Sequence, residues 1–420
     1  MHRLKTLPNG LTLITVDLPH LDSVTTLVAV GAGSRYETKK INGISHFLEH
    51  MFFKGSAKFP TAERIAGLID GIGAVNNAAT SKEVTFYWIK SASKNIELAS
   101  DILSSMIKES LLSREEIEKE KGVITEELRM LRDIPARLVW DLYEELQFGD
   151  QPLGWDLGGD EKTINLFLRD DFVKYMESLY SSKNMTLVYV GRLPKDIERL
   201  AANYFSDIRP RPITKFEPFK KTKQTKAKVN VFYKQTDQAN LILGVEGFDK
   251  FDNRRYAAEI LSVILGEGMS SRLFIQVRER RGLAYRVSAS NNCYLDTGTF
   301  TAYAGLKLEK VYEGLEVIYA ELIRTVMEKV SGEELKKAKE MIRGRIALHS
   351  ESTNFLAEYF GTNFVLEGKI ETFEEYLKNI ENVTVEDIQK IARELFVKEK
   401  FNLQVIGPFK KIDNFERILT

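Results

Sequence analysis

The feature that most constrains this chain is a restart of its own pattern. Residues 208–228, within "DIRPRPITKFEPFKKTKQTKAK", are rich in proline and lysine and poor in aliphatics, the composition of an interdomain linker. Before it, Pro8-Asn9-Gly10 marks a hairpin into the strand "LTLITVD", and "SVTTLVAVGAGSRYE" reads as a further strand. A helix over Ile44, Phe47, Leu48 and Met51 follows, with Asn42 or Ser45 as its expected cap. Next come the helix "TAERIAGLIDGIG", the strand "VTFYWIKSA", the helix "KNIELASDILSSMIKES", a charged helix from about Arg114 to Arg132, and the strand "NMTLVYVG". After the linker the order begins again, with strands "VNVFYKQ" and "ANLILGVEGF" and the helix "NRRYAAEILSVILGE". "SRLFIQVRERRG" can be laid over "TAERIAGLIDGIG" as a second helix, and "LAYRVSASNNCYLDTGTFTAYAG" over "AVNNAATSKEVTFYWIKSA" as strands. The expectation is an α+β protein of two homologous domains, 1–207 and 229–420, joined by 208–228.

The two copies differ in one respect that packing does not explain. The first contains "HFLEH", with His46 and His50 four residues apart and Glu49 between them, whereas the second has no histidine at the corresponding place. On a helix, residues four apart are rotated by about 40° and separated by about 6 Å, so both imidazoles point toward one spot. Neutral imidazoles suit zinc, whose catalytic sites take three protein ligands and keep one position for water. Glu49, on the flank of the same face, is placed to take a proton from water activated there. With five histidines in 420 residues, an H-x-x-E-H arises by chance on the order of 0.5% of the time. Two histidines at a solvated helix edge are therefore the weaker reading, and a closed structural zinc site would need a fourth ligand.

The charged helix "SREEIEKEKGVITEELRM" is the source of a third ligand. Ile117, Ile124, Leu128 and Leu131 define its apolar face, Glu126 points away, and Glu120 and Glu127 border it two turns apart. Separated by about 10 Å along the axis, those two do not share one ion easily. One would be the ligand, and the other would orient a histidine.

Composition narrows the partners. Sixty basic residues balance sixty acidic ones, so no global field recruits nucleic acid or an anionic membrane. One cysteine, Cys293, excludes an internal disulfide framework and fits a reducing compartment. Neither a leader-like apolar region nor a stretch of membrane-spanning length stands out. A soluble, cytoplasmic protein is expected.

Taken together, "HFLEHMFFKGS" and the glutamate helix resemble the pitrilysin and insulinase family of zinc metallopeptidases, the inverzincins, and their shorter branch like the mitochondrial processing peptidases. That family takes its third ligand from a glutamate 77 positions after the second histidine, which falls on Glu127, and has an additional active-site glutamate where Glu120 stands. "NAATSKEVTFYW" resembles its edge strand, with Asn77 and Ala78 where an extended peptide would pair. "LGEGMSSRLF" resembles the glycine-rich stretch of the shorter members. "VRERRGLAY" resembles the segment carrying an arginine and a tyrosine, here Arg278 and Tyr285, that hold the substrate backbone and stabilise the oxyanion.

The resemblance implies that the two homologous α/β-sandwich domains form one half of a clam shell. It implies a zinc endopeptidase with one Zn2+ per chain, although cobalt or manganese can occupy such a nitrogen and oxygen site. The substrate would be peptides or unfolded segments admitted to a closed chamber. Because both motifs stand in one chain, a homodimer with composite active sites is the expected assembly. A processing peptidase requiring a different partner chain, and a non-catalytic scaffold or binding subunit of the same fold, are the alternatives.

Overall fold

The computed structural model describes residues 2–419. Its strands are β1 (Arg3–Thr6), β2 (Thr12–Asp17), β3 (Ser23–Val30), β4 (Val75–Thr80), β5 (Thr85–Ala92), β6 (Met185–Gly191), β7 (Lys228–Tyr233), β8 (Gln238–Gly247), β9 (Ala284–Cys293), β10 (Gly298–Lys307) and β11 (Asn402–Gly407). They form a six-stranded sheet in the order β1-β2-β6-β3-β5-β4 and a five-stranded sheet in the order β7-β11-β8-β10-β9.

The expected repeat is written in these orders. Without β1, each sheet runs through a parallel pair, β2 with β6 or β7 with β11, and then through antiparallel neighbours to the end of a hairpin. In the first sheet Val28 of β3 lies opposite Tyr87 of β5 and Leu187 of β6. In the second, Leu243 of β8 lies opposite Ala302 of β10 and Leu403 of β11. The added strand β1 comes from the Pro8-Asn9-Gly10 hairpin, where Gly10 takes φ +87° and its N–H closes the turn on the Leu7 carbonyl at 2.8 Å.

The central strands are apolar without alternation because both of their faces are covered. Every residue of β6 is buried, as are all but the first of β3. On one face lie helices from the first half of the sequence, including Ile44–Phe52, Ile96–Lys108 and Phe172, Tyr175 and Leu179 of Arg169–Leu179. On the other lies Thr353–Glu367, a helix from late in the sequence, set against β3 and β6. Its Gly361 permits the approach, since a Cβ there would meet Leu27 Cδ2 at 2.9 Å and Val188 Cγ2 at 3.0 Å. The second sheet uses the same device in reverse. Helix Pro135–Phe148 covers β8 and β11, and Gly244 of β8 leaves room for the Tyr143 ring.

Compactness therefore gathers discontinuous stretches. One unit comprises Met1–Arg129, Asp156–Glu217 and Ala347–Glu371, and the other Met130–Trp155, Pro218–Ile346 and Thr372–Thr420. A contiguous division at 208–228 does not include this exchange of two helices. The second expected helix also differs in detail. Phe274–Glu279 is wound as a π-helix, closed by Arg280 N–H on the Ile275 carbonyl at 2.9 Å, which keeps Leu273 and Val277 in the core.

Gly361→Val should lower stability by about 1–3 kcal/mol, because the added methyls meet a filled face. Gly344→Ala, at an exposed helical position with nothing within 4 Å of its Cβ, should instead raise it by about 0.5–1 kcal/mol. Thermal denaturation of the two variants side by side checks the pair.

Candidate metal centre and active site

The helix Ile44–Phe52 buries Ile44, Phe47, Leu48, Met51 and Phe52 and leaves His46, Glu49 and His50 half-buried on its other side. Its entry differs from the sequence expectation. Neither Asn42 nor Ser45 caps it; the N-cap is Gly43 at φ +96°, where a Cβ would strike the Gly158 carbonyl oxygen at 2.4 Å. The free amides of a buried helix start still need acceptors, and Glu37 supplies them. Its Oε2 accepts from Gly43 N–H at 2.8 Å and its Oε1 from Ser45 N–H at 2.8 Å. Asn42 Nδ2 and Ser45 Oγ also donate to it, so both expected caps serve as donors to the carboxylate that does the capping. Burial raises the Glu37 pKa against those four hydrogen bonds. A cap seven residues upstream of the helix has no spacing signature, and sequence reading missed it.

On the glutamate helix, Arg114–Asp133, the two candidate glutamates stand in different surroundings. Glu126 is on its exposed side, pairing with Arg129 at 2.7 Å. One ligand atom each of His46, His50 and Glu127 lie within 4.8 Å of one another. His46 Nε2 is 3.8 Å from Glu127 Oε1, and His50 Nε2 is 3.5 Å from Glu127 Oε2. The imidazole rings stand edge to face, 4.7 Å apart between centroids. Glu120, with 3% of its side chain exposed, accepts from His50 Nδ1–H at 2.9 Å and from Lys54 Nζ at 2.6 Å. Since a carboxylate accepts and does not donate, Nδ1 of His50 holds a proton toward Glu120, which leaves Nε2 as the atom a metal would take.

The electrostatics follow from these neighbours. Burial, followed by the neighbouring His50, lowers the His46 pKa and keeps that ring neutral. Burial works in the same direction on His50, but the hydrogen bond and charge of Glu120, with Glu127 and Glu49, override it and leave the value raised. Glu120 shows the converse. Burial would raise it, and the donors His50 and Lys54 bring it below the ordinary glutamate value. Glu49 is raised by burial, only partly offset by a hydrogen bond from Thr80, which moves it toward the range a base working near neutrality needs.

Thr80 is a contact that sequence reading missed. Its Oγ1 donates to Glu49 Oε2 from the end of β4. That strand is an edge of the first sheet, pairing with β5 alone among the described residues, and it carries exposed Asn77 and half-buried Ala78 opposite Trp88 and Tyr87. Arg278 and Tyr285 belong to the other compact unit, where the structure brings them to each other. Arg278 Nη1 donates to the Tyr285 carbonyl at 2.9 Å, and its guanidinium lies 4.7 Å from the Phe274 ring and 4.9 Å from the Tyr285 ring. Tyr285 stands 76% exposed on the edge strand β9.

The donor set fits a divalent transition metal. Separations of 3.5 and 3.8 Å are too long for hydrogen bonds. They are close to the roughly 3.4 Å expected between two ligands of a tetrahedral ion held at about 2.1 Å. Two neutral nitrogens and one carboxylate oxygen are zinc-type donors, and three of them leave a coordination position open.

Residues 12–161 match the family model described as insulinase, peptidase family M16, and residues 167–342 match the one described as the peptidase M16 inactive domain. A protein of Bacillus subtilis described as an uncharacterized zinc protease is 36% identical over 96% of this chain and 97% of its own length. One of Rickettsia bellii with the same description is 37% identical over 96% of each. The chain belongs to the insulinase family of zinc proteases, peptidase family M16. Its fold is shared with a protease of Helicobacter pylori (TM-score 0.91, 24% identity, 97% of this chain and 99% of that one). It is shared also with an M16 inactive domain of Pseudomonas fluorescens (TM-score 0.89, 19% identity, 97% and 98%).

His46→Ala, His50→Ala or Glu127→Ala should each abolish stoichiometric zinc, and Glu120→Gln should weaken zinc affinity by about 10- to 100-fold. Atomic absorption after dialysis against graded chelator reads both effects.

Proposed function

We propose that this chain is a zinc-dependent endopeptidase that hydrolyses extended peptides or unfolded segments. The observation that carries the reading is the convergence of His46, His50 and Glu127 within 4.8 Å, with Glu49 beside them on the same helix. When bound, zinc supplies the Lewis acidity that polarises a scissile carbonyl and makes water acidic enough to attack at neutral pH. The chain's own residues do the remaining work. The free edge of β4 offers backbone groups at Asn77 and Ala78 to an extended peptide, which would add as a further strand. Glu49 takes the proton of the attacking water and returns it to the leaving nitrogen. Glu120 holds His50 in the tautomer that presents Nε2.

The proposed assembly is a homodimer with one Zn2+ per chain, in a closed chamber. Arg278 and Tyr285 of the partner subunit would complete each site, the arginine holding the peptide backbone and the tyrosine steadying the developing oxyanion. Carrying all of these residues in one chain favours self-sufficiency over a processing peptidase dependent on a different chain. A non-catalytic scaffold has no need of a base beside a ligand set.

Glu49→Gln should keep its zinc and lose about 10²- to 10⁴-fold in turnover of an internally quenched peptide; retained turnover would remove Glu49 from its role. Mixing Glu49→Gln chains with Arg278→Ala chains should restore part of the activity, because one composite site of the mixed dimer is intact. No recovery after verified subunit exchange would sink the shared-site assembly.

A further inference from the structure

Beyond the ligands and the base, we propose that Thr80 is a positioning residue for the reaction: its hydroxyl ties the Glu49 carboxylate to the strand on which the peptide substrate is read. The inference rests on Glu49 being the base. Thr80 Oγ1 donates to Glu49 Oε2, and the Thr80 backbone also hydrogen-bonds that carboxylate. A carboxylate on a half-buried glutamate has three rotatable bonds, and donors directed from one residue select among the rotamers.

What lends weight to the contact is how firmly Thr80 itself is held. It is the last residue of β4 and lies opposite Thr85 of β5. The connecting turn is closed by Ser81 N–H on the Val84 carbonyl at 2.8 Å, and Ser81 Oγ both donates to that carbonyl at 2.9 Å and accepts from Val84 N–H at 3.1 Å. Thr85 Oγ1 donates to the Ala32 carbonyl at 3.0 Å. The turn is then docked from outside. Ser34 N–H and Arg35 N–H donate to the carbonyls of Ser81 and Lys82 at 3.3 and 2.8 Å, and Arg35 forms an ion pair with Glu83 at a site where their side chains are 1% and 6% exposed. Gly33 is obligatory for this approach, because a Cβ there would sit 2.3 Å from the Ser81 carbonyl oxygen. The hydroxyl is thus delivered from a fixed frame.

The consequence concerns registration. Asn77 and Ala78, where a peptide would pair, are three and two residues from Thr80 on one strand. A single short element therefore sets both where the substrate backbone lies and where the base carboxylate points. None of the hydrogen bonds of Thr80 among the described residues goes to His46, His50 or Glu127, so its effect falls on turnover and leaves metal binding alone.

The test compares Thr80→Val and Thr80→Ala, which lack the hydroxyl, with Thr80→Ser, which keeps it, in the full zinc-loaded chain. With an internally quenched fluorogenic peptide, kcat should fall by about 10²-fold in the first two, with KM within about twofold and zinc content unchanged. Thr80→Ser should recover kcat to within about threefold of the wild type. Crystals should show the Glu49 carboxylate in its wild-type rotamer in Thr80→Ser and displaced in Thr80→Val. Thr80→Val with wild-type kcat, Thr80→Ser as impaired as Thr80→Val, or an undisplaced Glu49 would overturn the proposal. Glu49→Gln, assayed in parallel, separates the two levels. If it turns over normally the base assignment itself fails; if it is inactive while Thr80→Val is unimpaired, only the role of Thr80 fails.

Discussion

A helix that begins inside a protein exposes N–H groups that water cannot reach, and the whole site depends on how this chain satisfies them. Glu37 accepts from Gly43 and Ser45 N–H, from Ser45 Oγ and from Asn42 Nδ2. Ser45 Oγ also meets Tyr175 OH at 2.6 Å, joining the helix start to the core helix Arg169–Leu179. A buried carboxylate is costly unless its oxygens are hydrogen-bonded, and here they are. The acceptor also sits at the positive end of the helix dipole. Nine residues are too few for a helix to be stable by itself. Its direction, and with it the direction of His46, Glu49 and His50, comes from this anchor and from the apolar face below.

The second support is a helix that is poor in apolar residues yet held along its length. Arg114–Asp133 has a mostly polar sequence, but Ile117, Ile124 and Leu128 are buried. Glu120 and Glu127 are two turns apart on it, which lets one reach Nδ1 of His50 and the other reach the Nε2 atoms of both histidines. Lys54, from just beyond the histidine helix, closes the arrangement by pairing with Glu120. The carboxylate between them is thereby kept ionised and oriented. His50 thus has its donor atom selected by a neighbour, whereas Nδ1 of His46 is buried without a hydrogen-bond partner among the described residues.

The two modules show how one fold separates packing from chemistry. Both sheets have the same strand order and the same parallel pair. Only the first surrounds a histidine pair, since the chain's histidines include none between residues 51 and 348. The second module places Arg278 in a π-helix and Tyr285 on an edge strand. Each sheet is covered on its second face by a helix from the other half of the sequence, across Gly361 in one case and Gly244 in the other. Such pairings join residues more than 100 positions apart, as in Thr25 Oγ1 with Thr353 Oγ1 at 2.9 Å, and loop closure on that scale carries no local signature.

The sequence by itself determined the α+β class, the repeat, the helix that places two imidazoles on one side, and the two glutamates that border the apolar face of the charged helix. The class and the helix faces rest on periods of two or 3.6 residues, which are properties of a few consecutive turns, and the repeat rests on their recurrence in the same order. Tertiary structure alone decided that Glu37 caps the histidine helix, that Thr80 meets Glu49, that a buried Arg35 and Glu83 hold the turn beside it, and which helix covers each sheet. Those contacts join elements distant along the chain. They are selected by burial and hydrogen-bond satisfaction in three dimensions, and no local period encodes that.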